Sequence, residues 1–295
     1  MYLTPYTDST RWLRGNLHGH TCCGRFMDVS ESGPMFASLG YDFMAITDHN
    51  LAPDEEQWRI WQDQANLILI PGDENGTTDH ILELGVFAVT ETSSLDIVDR
   101  ANTLKKSGGF LATCHPQEYD HGADNVYRTA DIVHAFELFN GLRKNRGCDE
   151  VANIAIWDEV LSKGQRVWGI ATDDFHCQYT TPGHGWVNVQ VPEEDENITW
   201  QTLVEQLKNG AFYASTAPTF EQILLDGQKL TAKSDKFAQK IRIIGPQGQP
   251  VYETEGPLLE WTAPPDLTYF RIEVHTGVRR AWSQPFFQNT DEKAQ

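Results

Sequence analysis

One pattern recurs along this chain and restricts its fold more than any single motif. A short apolar run ends in a chemically capable polar residue, and a helix-like stretch follows. FMAIT ends at Asp48-His49, LILIPG at Asp73-Glu74, GFLATC at His115-Pro116 and VWGIAT at Asp173-Asp174-Phe175-His176. HAFELFNG carries Glu137 and ends in a turn. Between these runs the spacing predicts helices over 54–66, 149–164 and 199–210. In the second, Val151, Ile154, Trp157 and Leu161 fall at near-helical spacing, and Gly164 stops it. Strands that alternate with helices imply a mainly parallel sheet, open or closed. Such sheets build their sites where the C-terminal ends of the strands meet, so distant segments converge on one pocket.

The residues at those ends are imidazoles and carboxylates. NLHGHT places His18 and His20 two apart, which aims both rings to one face if the segment is extended. An isolated HxH is weak evidence for a metal. The set His18, His20, His49, Glu74, His80, His115, Asp174 and His176 is stronger, because this mixture suits Zn, Mn or Fe. Glu74 has two oxygens and can bridge two ions. Each residue also has a plain structural reading: His49 as a cap, His80 as a loop histidine, His115 before Pro116 as a turn residue. Glu137 and Asp173 read as partners standing behind the ligands, Asp173 orienting a bound histidine. His121, His134 and His184 read more readily as satisfied or solvated histidines. Of these, His184 in PGHGW is the best placed for substrate. Arg143 and Lys144 in NGLRKN suit a phosphate, or simply a solvated turn. Cys114, Cys148 and Cys177 read as packing residues, and the tryptophans at 58, 61, 157 and 168 as core or interface.

After about residue 220 the pattern changes. ILLDGQKL, KIRIIGPQGQPVY and YFRIEVHTGVRRAW are short β-like runs broken by Gly and Pro, and only one of the ten histidines, His275, falls among them. The chemistry therefore belongs to residues 1–220, with 221–295 as a small β-rich, sandwich-like domain. The formal net charge of -19 argues against nucleic-acid polymers and anionic membranes as partners. Five cysteines without a regular framework, and no apolar leader, predict a cytoplasmic protein. No nucleotide-binding Gly fingerprint is visible, so no nucleotide cofactor is expected.

LHGHT, ITDHN, PGDE followed by DHILELG, CHP and TDDFH resemble the successive motifs of the PHP (polymerase and histidinol phosphatase) metallohydrolase superfamily, over residues 11–220. RWLRGNLHGHT, GYDFMAITDHN, GHGWVNV, NGAFYAST and FRIEVHTGVRRAWSQP are similar to the branch that includes carbaryl hydrolase. The resemblance implies an α/β fold: a distorted seven-stranded (β/α)7 barrel followed by the small C-terminal β-rich domain. It also implies two or three divalent ions. Carried over motif by motif, His18, His20, Glu74 and Asp174 hold the first, and Glu74, His80 and His115 the second. His49 and His176 hold the third with a ligand from the loop after HxH. There the chain departs from the family's usual SDG and reads CCGR. Cys23 as a thiolate, or a weak or empty third site, is preferred to Asp28 reaching in.

The implied activity is metal-dependent hydrolysis of a small phosphate ester through a metal-bridging hydroxide, with Glu74, Asp174 and His184 at the reacting centre. The rivals are a carboxylic or carbamic ester hydrolase on the same metals, and a metal-stabilised interaction module. Substrate identity and oligomeric state are not legible.

Overall fold

The computed structural model describes residues 1–8, 10–21, 27–116, 122–144, 150–177, 179 and 181–289, without the side chains of 143, 144, 150 and 151. The chain opens with β1 (Tyr2–Leu3) and β2 (Thr10–Asn16). Then α1 (Val29–Ser38) leads to β3 (Phe43–Ile46), and α2 (Glu55–Ala65) leads to β4 (Ile68–Asn75) and β5 (Ile81–Leu84). Next come α3 (Ile97–Leu104), β6 (Phe110–Thr113), α4 (Gly122–Thr129), β7 (Ala135–Asn140), α5 (Gly141–Lys144), α6 (Glu150–Ser162) and β8 (Trp168–Thr172). They are followed by β9 (Trp186–Pro192), α7 (Trp200–Lys208) and β10 (Phe212–Ser215). The three predicted helices appear within a residue or two of their expected ends. Asp54 and Thr199 cap α2 and α7 by accepting from the backbone N–H of Gln57 and Thr202.

Strands β2 to β8 form a curled arc in chain order. β2, β3 and β4 run parallel, as do β6, β7 and β8. β5 runs antiparallel to both neighbours and follows β4 with no helix between them. The strand–helix unit therefore does not repeat strictly, because the five residues between β4 and β5 can only fold back as a hairpin, not cross over to a parallel position. The ends of the arc meet at one place. Gly19, just past β2, bridges to Phe175, just past β8. The His20 N–H donates to the Phe175 carbonyl at 2.8 Å, and the Phe175 N–H to the His18 carbonyl at 3.1 Å. That closure lies at the C-terminal ends of the strands. Beneath the opposite ends, Leu203, Val204 and Leu207 of α7 join Phe43, Ile70, Leu82, Leu84 and Phe110 in one apolar cluster. Truncating one of these buried leucines costs about 2–5 kcal/mol.

The C-terminal part adds β11 (Phe220–Asp226), β12 (Lys229–Ser234), β13 (Lys240–Ile244), β14 (Pro250–Glu255), β15 (Leu258–Thr262), β16 (Tyr269–Thr276), β17 (Arg279–Ser283) and β18 (Phe286–Gln288). β11, β12 and β15 form a separate three-stranded sheet. It packs through Phe220, Ile223, Leu230 and Leu259 on Ile241, Ile272, Val274 and Ala281, giving two β layers. The second layer continues the main sheet, since β17 pairs with β10 and β10 with β9, which pairs with β2. The chain's first residues join it too, because β1 pairs with β18.

Candidate metal centre

Strand parity explains which side chains meet inside the arc. Phe43 and Ala45 of β3 face the interior cluster, and His49 keeps their parity past the strand end. The same holds for Ile70 and Glu74 on β4, for Leu84, Leu82 and His80 on β5, and for Ala135 and Glu137 on β7. Ile170 is followed in phase by Thr172 and Asp174 on β8. His115 is out of phase on β6, and its backbone has φ 23°, in the left-handed region. Asp174 at 49°, with Asn50 and Asp79 beside His49 and His80, is left-handed as well. Left-handed non-glycine residues cost about 1–3 kcal/mol each and gather where surrounding structure over-determines them.

The side chains converge on Glu74. Its Oε1 lies 2.7 Å from His80 Nδ1 and 2.9 Å from His115 Nε2. Its Oε2 lies 2.9 Å from His49 Nδ1, 3.3 Å from His18 Nε2 and 3.4 Å from His20 Nε2. Asp174 Oδ1 is 3.4 Å from the Nε2 atoms of both His18 and His20, and 3.2 Å from His176 Nδ1. Ligand atoms within 4.8 Å of one another form four overlapping groups: His18, His20 and Asp174; His49, Glu74 and His80; His20, His49 and His176; and His18, Glu74, Cys114 and His115. The Nε2 atoms of His18 and His20 are buried without a hydrogen-bond partner. Buried polar atoms are rarely left so.

These atoms fit a cation. Donors around a tetrahedral ion with bonds of about 2.0–2.1 Å sit about 3.3–3.4 Å apart. The four spacings that link His18 and His20 to Glu74 Oε2 and Asp174 Oδ1 have just that length. Hydrogen-bonded pairs would close to about 2.7–2.9 Å.

Glu137 stands behind this set. Its Oε1 accepts from His18 Nδ1 at 2.8 Å and from the Thr172 hydroxyl at 2.6 Å. Its Oε2 accepts from the His115 N–H at 2.7 Å and from Asn140 Nδ2 at 2.8 Å. The same Asn140 amide donates to Asp174 Oδ2 at 3.1 Å, which leaves Oδ1 to face the cluster. A proton on His18 Nδ1 likewise leaves Nε2 as the donor atom. Burial works to strip the proton from His18, but Asp174, Glu74 and Glu137 override it and hold its pKa well above the usual value. Burial would raise Glu74 and Asp174; the histidines, His18 foremost, hold both well below the carboxylate range. Burial takes His20 the other way, down to about 4.

Asp173 has a different task from the one its sequence suggests. Its carboxylate accepts from the N–H groups of Gly183, His184 and Gly185 at 3.1, 2.7 and 3.1 Å, and from the Tyr41 hydroxyl at 3.1 Å. It gathers the loop rather than a ligand histidine, because the parity that turns Asp174 inward turns Asp173 out. His184 stands on that loop. A Cβ on Gly141 would lie 2.9 Å from the His184 Cβ, so the loop abuts the end of β7. The His184 ring reaches Thr181 Oγ1 at 3.2 Å and joins no ligand group among the described residues. Arg143 and Lys144 lie on α5, and their side chains are outside the described residues. Cys23 is also outside them. Asp28 caps α1, accepting from the Ser30 N–H at 2.9 Å.

Two site residues escape a reading by sequence. Asn140 ends an apolar run like the ligands do, and that position was the available signal. Cys114 reads as packing, yet it falls within a ligand group. Burial, followed by the Glu74, Glu137 and Asp174 carboxylates, pushes its thiol pKa well up.

A two-domain protein from Bacteroides vulgatus, described as containing a predicted PHP-like metal-dependent phosphoesterase, superposes with TM-score 0.55 at 14% identity over 93% of each chain. This chain has the fold of that protein. A Bifidobacterium adolescentis protein, assigned as a metal-dependent phosphoesterase, aligns at 14% identity over 66% of this chain and 96% of its own, with TM-score 0.43. An amidohydrolase from Chromobacterium violaceum aligns at 12% identity over 55% of this chain and 87% of its own, with TM-score 0.42. No family model matches the chain, and no curated protein sequence does. Among the described residues no helix is long and apolar enough to cross a membrane.

Proposed function

We propose that this chain is a PHP-type metal-dependent hydrolase of small phosphate esters, with residues 1–220 as the catalytic part and 221–295 as a β-rich domain packed on it. The observation that carries the reading is the quartet His18, His20, Glu74 and Asp174, whose buried donor atoms keep cation spacing. The motif resemblance supports it from the sequence side. In this reading His18, His20, Glu74 and Asp174 hold a first divalent ion, and Glu74, His80 and His115 a second. His49 and His176 hold a third, with Cys23 as a further ligand. Zn, Mn or Fe suits this donor set. Bound ions lower the pKa of a water to about 7 and neutralise anionic oxygens of the substrate.

The chain's own groups prepare that chemistry. Glu74 presents one oxygen to His80 and His115 and the other to His18, His20 and His49, so it orders both sides of the centre. Glu137 and Asn140 fix the rotamers of His18 and Asp174 before anything binds. Arg143 and Lys144, on the short helix at the mouth, are assigned to the substrate's phosphate. His184, on the loop tied down by Asp173, is assigned to substrate contact and to protonation of the leaving oxygen.

One observation favours a second reading, hydrolysis of a carboxylic or carbamic ester as in the carbaryl-hydrolase-like branch. Asp48, Glu74, Glu137 and Asp174 set four buried carboxylates around His18 and His20, which suits an uncharged carbonyl substrate better than a phosphate. A panel of small phosphate and carboxyl esters, given to protein loaded with Zn, Mn or Fe, separates the two. Phosphate release with little carboxyl-ester cleavage is expected. The reverse selects the second reading, and a metal-loaded protein inactive on both is an interaction module.

A further inference from the structure

We propose that Cys114 is a direct metal ligand: a thiolate that completes the His18–Glu74–His115 pocket and biases it toward soft ions. This rests on the metal-centre reading above. The carrying observation is register. Phe110 and Ala112 of β6 and Cys114, one residue past its end, all belong to the interior cluster, while Leu111 belongs to the outer one. Cys114 therefore continues the inward phase of β6, as Glu74 does on β4 and as His80 and Asp174 do beside β5 and β8. His115 reaches the same pocket only through its left-handed backbone at φ 23°. Strand alternation normally sends residues i and i+1 to opposite faces; here both point inward, so β6 delivers two adjacent donors.

Distance and chemistry agree with this. The Cys114 Sγ is within 4.8 Å of ligand atoms of His18, Glu74 and His115. In the same group of residues, His18 Nε2 is buried without a hydrogen-bond partner. The thiol's own bond is a weak one, donated to the Ala112 carbonyl at 3.8 Å. On binding, the S–H bond breaks, a metal–sulfur bond forms, and one proton passes to solvent per ion. A thiolate beside two imidazoles and a carboxylate favours Zn or Fe over Mn or Mg.

Cobalt(II) tests the assignment without any turnover. Cobalt-loaded full-length protein should show visible ligand-field bands and, in addition, near-ultraviolet thiolate-to-cobalt charge transfer. Cys114→Ser, with the other four cysteines intact, should keep the visible bands and lose charge-transfer intensity. Its Zn affinity, measured by chelator competition, should fall about tenfold or more, since even a lost supporting partner costs that much. Cys114→Val serves if the serine variant fails to fold. Visible bands without charge transfer in the wild type, or full charge transfer in the variant, overturn the role of Cys114 and leave the metal centre standing. Failure to take up cobalt at all overturns both.

Discussion

Among the described residues, one cluster of buried charge is built around Arg271 and another around Glu74. Arg271, on β16, is fully buried and donates from all three guanidinium nitrogens. Nε and Nη2 reach Asp158 of α6 at 2.8 and 2.7 Å, and Nη1 reaches Glu273 at 2.6 Å. The other oxygen of Glu273 pairs with His275 at 3.0 Å, and the Tyr269 hydroxyl donates to Asp158 at 3.3 Å. This network clamps α6 of the first part onto the C-terminal sheet and is spent on itself. Around Glu74 the ratio is inverted. His18 and Asp174 are held from outside by Glu137 and Asn140, while the inner Nε2 atoms of His18 and His20 have no hydrogen-bond partner. Burial of charge therefore does not mark a site by itself; unused donor atoms that converge on one point do.

That contrast can be broken by mutation. Glu74→Gln should have the largest effect, lowering turnover by more than about a thousandfold, beyond the loss of one transition-state hydrogen bond. Added Zn or Mn should raise the melting temperature of the wild type and not that of the variant. Metal-dependent stabilisation that survives Glu74→Gln would remove Glu74 from the centre. Arg271→Ala should do the opposite: destabilise the fold by about 3–5 kcal/mol in urea titration while the protein still binds metal. A variant with wild-type stability would show that the clamp holds nothing.

Acid should sharpen the same distinction. Burial alone would raise the Glu273 carboxyl, but Arg271, helped by His275, holds it down to about 2 from its ordinary 4.5. A depressed folded-state pKa stabilises the protein above pH 4.5, and that contribution fades as the pH falls toward 2. The term is about 3 kcal/mol. Urea titrations across that window should show the fall in the wild type and a flatter profile in Arg271→Ala. The smallest effect belongs to Glu137→Gln, which keeps the shape but weakens the hold on His18. Metal affinity should drop about 10–100-fold in chelator competition, with the melting curve of the metal-free protein little changed. An unchanged affinity would make Glu137 a packing residue.

Much of the centre was legible because strand ends leave a periodic trace. A run such as FMAIT or VWGIAT stops where polar side chains begin to turn inward, so His49 and the Asp173–Asp174 pair stand out in the bare sequence. The antiparallel β5 was not legible, since a short apolar run carries no direction. Asp173 was misleading for a related reason. Two adjacent aspartates look equivalent in a sequence, and only the strand's phase decides which one faces the histidine cluster and which one holds the loop. The Arg271 clamp was invisible, because Asp158 and Arg271 are 113 positions apart and neither belongs to a motif.

Composition, periodicity and motif order are properties of neighbours along the chain. They were sufficient for an α/β arrangement, for three of its helices, for the β-rich C-terminal part and for the identity of most candidate ligands. Distances between donors depend on how the arc curls, and so do the single bridge from Gly19 to Phe175 that draws its ends together, the left-handed turn that brings His115 in beside Cys114, and the sharing of Glu74 among five histidines. Those were decided by the folded chain alone, because they arise between segments that share a sheet without sharing a stretch of sequence.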